Sequence, residues 1–161
     1  QKQKTVSLNI SFDDIKFNDS QRFIDKKLEA NKELCKYLHF ELLETEEIEN
    51  FDIVRDFIDR VQNFGCKVGV DDFGAGYSNF NMLEALQVDF VKIDGSLIKK
   101  IDSDVNQEII VDSITNYAKR MNIAIVAEFV SNEAIYDKIK SLGIDMAQGW
   151  YFGQPRAIES I

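Results

Sequence analysis

The chain has 161 residues, of which 45% are hydrophobic and 29% are charged, and its formal net charge is -9. This composition is sufficient for a packed core in one domain or a large part of one. The acidic balance argues against broad nucleic-acid binding, which needs a basic surface, so we expect no DNA or RNA partner.

Six short apolar or alternating runs, each bounded by turn residues, predict β-strands. They lie near residues 6–10, 38–43, 68–70, 90–93, 123–127 and 146–148. A helical pattern follows every one of them except the last. The alternation of strands and helices predicts an α/β fold with about six strands.

Two longer segments carry apolar residues at helical spacing and are expected to pack against the sheet. The first contains Phe51, Val54, Phe57, Ile58, Val61 and Phe64, with Gly65 as its stop signal. The second contains Ile109, Ile110, Ile114, Tyr117, Ala118 and Met121. We interpret both stripes as core rather than as cofactor-binding segments.

Polar residues stand at or near the C-terminal end of every predicted strand. They are Asn9, Glu41, Glu44, Asp71, Asp72, Lys92, Asp94, Glu128 and Gln148. A single polar residue at a strand end needs no functional explanation, because every strand must end somewhere. A full set favours one shared site, as at the C-terminal face of β/α barrels.

The most informative segment is VGVDDFGAGYSNFNML, which is continued by VDFVKID. It places Asp71 and Asp72 at a strand end, ahead of a glycine loop, and Lys92 at the end of the next strand. Two adjacent carboxylates and a lysine suggest metal-assisted phosphate chemistry, because hard divalent cations take oxygen ligands and lower the pKa of bound water. The alternatives are a turn with a helix cap for the acids, and a surface amine for Lys92.

Several segments together resemble one family. LNIS, FELLE, VDDFGAGYSNFNML with VKID, IVAEFV, and MAQGWYFGQP resemble motifs of the EAL domain of bacterial cyclic-di-GMP phosphodiesterases. DDFGxGYS followed by KID at this separation is the most specific part. The resemblance implies a (βα)8 TIM-type barrel and a hydrolase that converts cyclic-di-GMP to linear pGpG in second-messenger signalling.

The resemblance also implies roles for individual residues. Lys92 and Asp71 are expected to act in catalysis. The implied metal ligands are Asn9, Glu41, Asp71, Asp72 and Glu128. Ligand contact or support of the glycine loop is implied for Glu44, Phe73, Gly74, Gly76, Tyr77, Ser78 and Gln148. Two Mg or Mn ions are expected in the intact domain, whereas the chain alone either binds them or binds none.

A complete barrel of this type needs about 250 residues. We therefore expect residues 1–161 to be a partial EAL domain, with barrel strands three to eight present and the first two β/α units absent. The absent part includes the glutamate of the E-A-L motif, so the chain alone is expected to be inactive. Other domains of a parent protein are expected partners.

Two departures from the family pattern keep a second function open. Phe129 stands where the A-E-G-V-E motif has glycine, and Ser131 replaces its second acid. Leu43 replaces the threonine of E-x-T-E. The alternative function is therefore a degenerate EAL domain that binds cyclic-di-GMP as a receptor, or that binds another protein.

Cys35 and Cys66 have neither metal-binding nor redox spacing and are expected to be reduced thiols in a cytoplasmic protein. A parent protein could still be anchored in a membrane through segments outside this chain. An incomplete barrel would expose two sheet edges, which recruit pairing partners. We therefore expect a homodimer or edge-paired self-association.

Overall fold

The computed structural model describes residues 4–43, 48, 50–76 and 80–157. The chain divides into two compact units, Gln1–Val91 and Lys92–Ile161, which we call unit 1 and unit 2. The division falls inside a β-strand, Phe90–Ile93, so this strand begins in unit 1 and ends in unit 2. No helix in the described ranges is both long enough and apolar enough to cross a membrane.

Unit 1 contains three complete strands and five helices among its described residues. In chain order they are β1 (Val6–Asn9), α1 (Phe12–Lys16), α2 (Asn18–Ala30), α3 (Lys32–Cys35), β2 (Leu38–Leu43), α4 (Phe51–Asn63), β3 (Lys67–Phe73) and α5 (Phe80–Leu86). The strand that ends this unit is β4 (Phe90–Ile93). The strands follow one another in the sheet in chain order.

The strands of unit 1 are parallel. Asn9 of β1 lies opposite Glu41 of β2, which in turn lies opposite Gly69 of β3. At the start of β4, the backbone N–H of Asp89 donates to the carbonyl oxygen of Val68 at 2.7 Å. The Asp89 carboxylate accepts from the Val68 N–H at 2.9 Å, which fixes where β4 begins beside β3.

Helix α4 packs through the middle of its predicted apolar stripe, but the prediction is wrong at Phe51, which is 37% exposed at the first position of the helix. Its buried residues are Val54, Phe57, Ile58 and Val61. The Phe57 ring meets the Phe40 ring of β2 edge to face, with centroids 5.6 Å apart. The Asn50 side chain caps the helix by accepting from the Asp52 N–H at 2.9 Å, and Gly65, with φ of 96°, follows the helix end.

Unit 2 contains the end of β4, two further strands and three helices among its described residues. They are α6 (Gly95–Ile98), α7 (Val105–Arg120), β5 (Ala124–Ala127), α8 (Glu133–Ser141) and β6 (Met146–Ala147). Strands β5 and β6 are parallel, with Val126 opposite Met146. The Glu128 N–H donates to the carbonyl oxygen of Ile93 at 3.3 Å, which joins the end of β5 to β4.

The predicted stripe on α7 is wrong at its two ends. Ile109, Ile110 and Met121 are 58%, 44% and 43% exposed. The buried residues of α7 are Val111, Ile114, Thr115 and Ala118. Because each residue turns a helix by about 100°, Ile109 lies about 200° away from Val111 and faces away from the core.

The six predicted strands are all present, with small shifts of their ends. Strand β3 is longer than predicted, so Asp71 and Asp72 lie within its last three residues. Strand β6 is only two residues long, so Gln148 follows it. Polar side chains therefore lie at the carboxyl ends of the strands, as predicted.

Candidate functional site

In unit 1, three predicted site residues project from the same face of the sheet. Asn9 and Glu41 are directly opposite each other, and Leu43, two residues beyond Glu41, lies opposite Asp71. Because side chains alternate along a strand and paired residues share a face, Asn9, Glu41 and Asp71 point to one side. The strand register therefore groups an amide and two carboxylates.

Both carboxylates of this group are buried. Glu41 is 7% exposed and Asp71 is 9% exposed, whereas Asn9 is exposed on the outer strand β1. An ionised carboxylate is costly to bury unless it is paired, hydrogen-bonded or bound to a metal. Asp71 accepts from the Asp72 N–H at 3.0 Å. These oxygen donors have the chemistry that hard divalent cations require.

Asp72 has an unusual backbone. Its φ is 54°, in the left-handed region that residues other than glycine seldom adopt. The next residues form a turn, in which the Ala75 N–H donates to the Asp72 carbonyl oxygen at 3.1 Å and Gly74 has a φ of 98°. The left-handed step at Asp72 interrupts the alternation of side chains at the end of β3.

The loop after β3 starts from an aromatic anchor. Phe73 is fully buried, and its ring lies edge to face with the ring of Phe80, with centroids 5.7 Å apart. Gly76 is exposed and has open space around it. Three further predicted loop or support residues, Glu44, Tyr77 and Ser78, lie outside the described residues.

One packing relationship beside this group was not predicted from the sequence. A side chain at Gly69 would collide with the ring of Phe90, which is 5% exposed. The ring of His39, opposite Lys67 in the register, lies 5.3 Å from the Phe90 ring. A glycine inside a strand signals such a close approach, and Gly69 in VGV was that signal.

Unit 2 contributes a buried ion pair. The Nζ atom of Lys92 in β4 lies 2.8 Å from Oε1 of Glu128, which directly follows β5. Lys92 is 7% exposed and Glu128 is 5% exposed. The amide nitrogen of Gln148, after β6, donates to the same Glu128 oxygen at 2.8 Å. Three predicted site residues from three strand ends therefore meet at one carboxylate.

Backbone hydrogen bonds hold these strand ends together. The Gln148 N–H donates to the Ala127 carbonyl oxygen at 2.9 Å, and the Val130 N–H donates to the Gln148 carbonyl oxygen at 3.0 Å. Gly149 lies so close to the Val130 backbone that any side chain there would overlap it. The glycine after Gln148 is thus required for the approach that brings Gln148 to Glu128.

Phe129, the residue after Glu128, has a φ of 54°. Its ring lies against Gly95, where a side chain would collide with it, and the Nζ atom of Lys99 is 4.3 Å from the ring centroid. The ring remains 53% exposed. A bulky side chain is therefore accommodated at a positive φ, with a cation–π contact of the kind that contributes about 0.5–1 kcal/mol at exposed sites. Lys99 was not singled out from the sequence.

The chain matches the family model described as EAL domain over residues 1–155. It is 37% identical over 152 residues to the cyclic di-GMP phosphodiesterase PdeA of Borreliella burgdorferi, a match that covers 94% of this chain and 23% of that protein. The chain therefore spans about a quarter of the length of this relative.

Two solved structures are also similar. The PaMucR phosphodiesterase in its c-di-GMP complex has a TM-score of 0.86 and 26% identity, over 97% of this chain and 63% of that one. The manganese and cy-diGMP complex of Klebsiella pneumoniae BlrP1 has a TM-score of 0.81 and 28% identity, over 91% of this chain and 38% of that one. The predicted α/β fold, an incomplete (βα)8 barrel of six strands with their helices, is confirmed. The chain is a member of the EAL domain family.

Proposed function

We propose that this chain is part of a metal-dependent phosphodiesterase domain that hydrolyses cyclic-di-GMP to the linear dinucleotide pGpG. The names of its relatives and the ligands of the similar structures support this proposal. The observation that carries it is the buried contact of Lys92 with Glu128, which Gln148 also contacts. Burying a lysine and a carboxylate costs desolvation energy, so a buried pair of this kind at adjoining strand ends marks a candidate functional site.

The donor chemistry fits the proposed cofactor, which is Mg or Mn. Glu41, Asp71 and Glu128 are buried carboxylates, and buried carboxylates supply the oxygen ligands that hard cations prefer. The proposed ligands are Asn9, Glu41, Asp71, Asp72 and Glu128. When bound, divalent cations would neutralise phosphodiester charge and lower the pKa of an attacking water.

Lys92 is proposed to act directly on the reacting groups. Its ammonium donates hydrogen bonds but cannot accept them, so it can orient the oxygen of an attacking water and offset charge on phosphate. Glu128 holds Nζ at 2.8 Å, and Gln148 in turn fixes the Glu128 carboxylate. This arrangement sets the lysine in one position before any substrate binds.

The loop after β3 has a proposed supporting role. Phe73 anchors its start by packing on Phe80, and Gly74 supplies the positive φ of its turn. For Glu44, Gly76, Tyr77 and Ser78, ligand contact or loop support remains a proposal from the family pattern. The loop would keep Asp71 and Asp72 in place at the end of β3.

A receptor that binds cyclic-di-GMP without cleaving it is the second candidate. Phe129 and Ser131 favour it, because they line a cavity where the family motif has a glycine and an acid. Both functions use the same ligand. Hydrolysis of cyclic-di-GMP therefore distinguishes the enzyme from the receptor, whereas binding of cyclic-di-GMP does not.

The test is hydrolysis of cyclic-di-GMP in the presence of Mn by the full-length natural protein that carries this chain. Wild type should release pGpG, and Asp71→Asn should lower kcat by at least about 100-fold, because it removes a proposed metal ligand. Asp112→Asn is the matched control, since Asp112 is exposed and accepts a hydrogen bond from the Asn116 side chain on the surface of α7. Binding without turnover in the wild type would establish the receptor instead.

We further propose that residues 1–161 form a partial EAL domain, that the domain is cytoplasmic, and that it self-associates through a sheet edge. Strand β1 is terminal in the strand order and exposed along its length. Val6 and Leu8 are 56% and 48% exposed. An apolar edge strand of this kind is a template for strand pairing.

A further inference from the structure

Two buried thiols lie together in unit 1, although they are far apart in the sequence. Cys35 ends α3, and Cys66 directly precedes β3. The Cys66 thiol is hydrogen-bonded to the Cys35 side chain. The backbones are also close, because a Cβ atom at Gly65 would lie 4.0 Å from the backbone nitrogen of Lys36. Both cysteines are free thiols, so the fold places two oxidisable sulfur atoms in direct contact.

The hydrogen bonds of the two thiols run in one direction. Burial, the neighbouring Cys35 group and a hydrogen bond to Cys35 all raise the pKa of the Cys66 thiol. A hydrogen bond raises the pKa of a thiol when that thiol is the donor, so Cys66 donates to Cys35. The Cys35 thiol in turn donates to the carbonyl oxygens of Leu28 and Asn31, each 3.6 Å from its sulfur atom. These hydrogen bonds hold the Cys66 sulfur against the Cys35 sulfur.

A cavity in unit 1 leads to Cys35. Its volume is about 450 Å³, and it is lined by residues that include Lys4, Lys27, Leu28, Cys35 and Tyr37. Lys4 and Lys27 are exposed, so the cavity opens to solvent. A water molecule occupies only about 30 Å³ of the liquid, so there is room for an oxidant as small as hydrogen peroxide.

The two cysteines differ in their access to this cavity. Cys35 is 2% exposed but belongs to the lining, whereas Cys66 is 1% exposed and, among the described residues, lies behind the lining. The described lining has two lysine ammonium groups and no carboxylate, although the chain has a net charge of -9. Reactive cysteines occupy accessible, electropositive surroundings, whereas buried structural cysteines are inert. Cys35 is therefore the cysteine that a small oxidant reaches first.

We propose that Cys35 and Cys66 are a redox-sensitive pair, in which hydrogen peroxide oxidises Cys35 and Cys66 then closes a disulfide bond with it. In the first step the Cys35 sulfur attacks one peroxide oxygen, the O–O bond breaks, and Cys35 sulfenic acid and water form. In the second step the Cys66 sulfur attacks the Cys35 sulfur and the S–O bond breaks. The leaving hydroxide takes the Cys66 proton and becomes a second water, so the two thiols lose two electrons and the peroxide gains them.

The oxidised pair suits its surroundings. A disulfide has no charge and no hydrogen-bond donor, so burying it leaves no charged or donor group unpaired. The new bond joins the end of α3 to the start of β3, the strand that carries Asp71 and Asp72 near its other end. The reaction needs neither a metal nor cyclic-di-GMP, so it stands or falls separately from the proposed function.

The test is a thiol count on the purified chain in metal-free buffer. The chain is reduced, freed of reductant, treated with hydrogen peroxide, and then unfolded in urea with an alkylating reagent for mass measurement. We expect two alkylated thiols before peroxide, none after it, and two again after dithiothreitol. Digestion without reductant should release one cross-linked pair of peptides that contain Cys35 and Cys66. Two free thiols after peroxide, disulfides only between chains, or oxidation that dithiothreitol does not reverse would overturn the proposal.

Two matched variants test which thiol reacts first. Cys66→Ser should accumulate a sulfenic acid at Cys35, which dimedone traps for detection by mass spectrometry. Cys35→Ser should be oxidised at least about 10-fold more slowly, because the remaining thiol lies behind the cavity lining. Equal oxidation rates for the two variants would overturn the assigned order. If either variant does not fold, dimedone is added to wild type during oxidation: a label on Cys35 supports the order, and a label on Cys66 contradicts it.

Discussion

The Nζ atom of Lys92 lies 2.8 Å from Oε1 of Glu128, with both side chains more than nine-tenths buried. A buried ion pair is a weak source of net stability, but removing one partner leaves a charge without compensation. Lys92→Met should therefore lower the free energy of unfolding by about 3–5 kcal/mol, measured by urea denaturation without metal.

The chain contains a matched control for this pair. Lys138 lies 3.0 Å from Glu108, but these side chains are 29% and 37% exposed. Lys138→Met should lower the free energy of unfolding by less than about 1 kcal/mol, because solvent screens exposed ion pairs. Equal losses for the two variants would contradict the importance of burial at Lys92.

Gly69 and Phe90 give a second prediction. A methyl group at Gly69 would overlap the buried Phe90 ring. Gly69→Ala should lower the free energy of unfolding by about 1–3 kcal/mol through overpacking. Gly76→Ala, at an exposed glycine with open space around it, should change it by less than about 0.5 kcal/mol. Urea denaturation measures the free energy of unfolding of both variants. An unchanged value for Gly69→Ala would show that the Phe90 ring moves aside.

The buried thiol of Cys66 should lower the stability of the protein at alkaline pH. Burial, with the neighbouring Cys35 thiol, raises the pKa of Cys66 from 9.0 to about 12. As pH rises, the Cys66 thiol ionises in the unfolded chain before it ionises in the folded protein. Its contribution to the free energy of unfolding is therefore complete below pH 9.0 and is lost as pH rises toward about 12. Urea denaturation at pH 8 and at about pH 10.5 should show a larger loss for wild type than for Cys66→Ala. If wild type and Cys66→Ala lost the same free energy of unfolding, the thiol would ionise at the same pH in the folded and unfolded states.

The edge of β1 predicts self-association. Val6 and Leu8 are exposed on this strand, and exposed apolar edges recruit other strands. Sedimentation of the purified chain should show dimers or larger species, and Leu8→Lys should shift the distribution toward monomer because a charged residue blocks edge pairing. A wild-type chain that sediments as a monomer at all concentrations would contradict this prediction.

The sequence predicted the strands well because their short apolar runs are bounded by clear turn residues. Leu38–Leu43 and Phe90–Ile93 match the predicted strands to the residue. Periodicity failed at Ile109 because isoleucine also occurs on exposed helix faces, and only packing identifies the buried stripe of α7. Local sequence patterns therefore predict where helices and strands lie more reliably than they predict which face of a helix packs against the core.

For the site, the sequence identified Lys92, Glu128 and Gln148 but not their shared contact. Residues 92, 128 and 148 are far apart in the chain, and only the pairing of strand ends brings their side chains together. Lys99 was missed because its contact with the Phe129 ring depends on a positive φ. Sequence spacing does not report such a conformation directly.

We propose that the domain hydrolyses cyclic-di-GMP and needs a divalent metal to do so. The most direct measurement follows pGpG release by the full-length natural protein at saturating cyclic-di-GMP, first in EDTA and then after Mn is restored. We expect no pGpG in EDTA and steady release of pGpG with Mn. Equal rates in the two conditions, or bound cyclic-di-GMP that stays uncleaved with Mn, would contradict it.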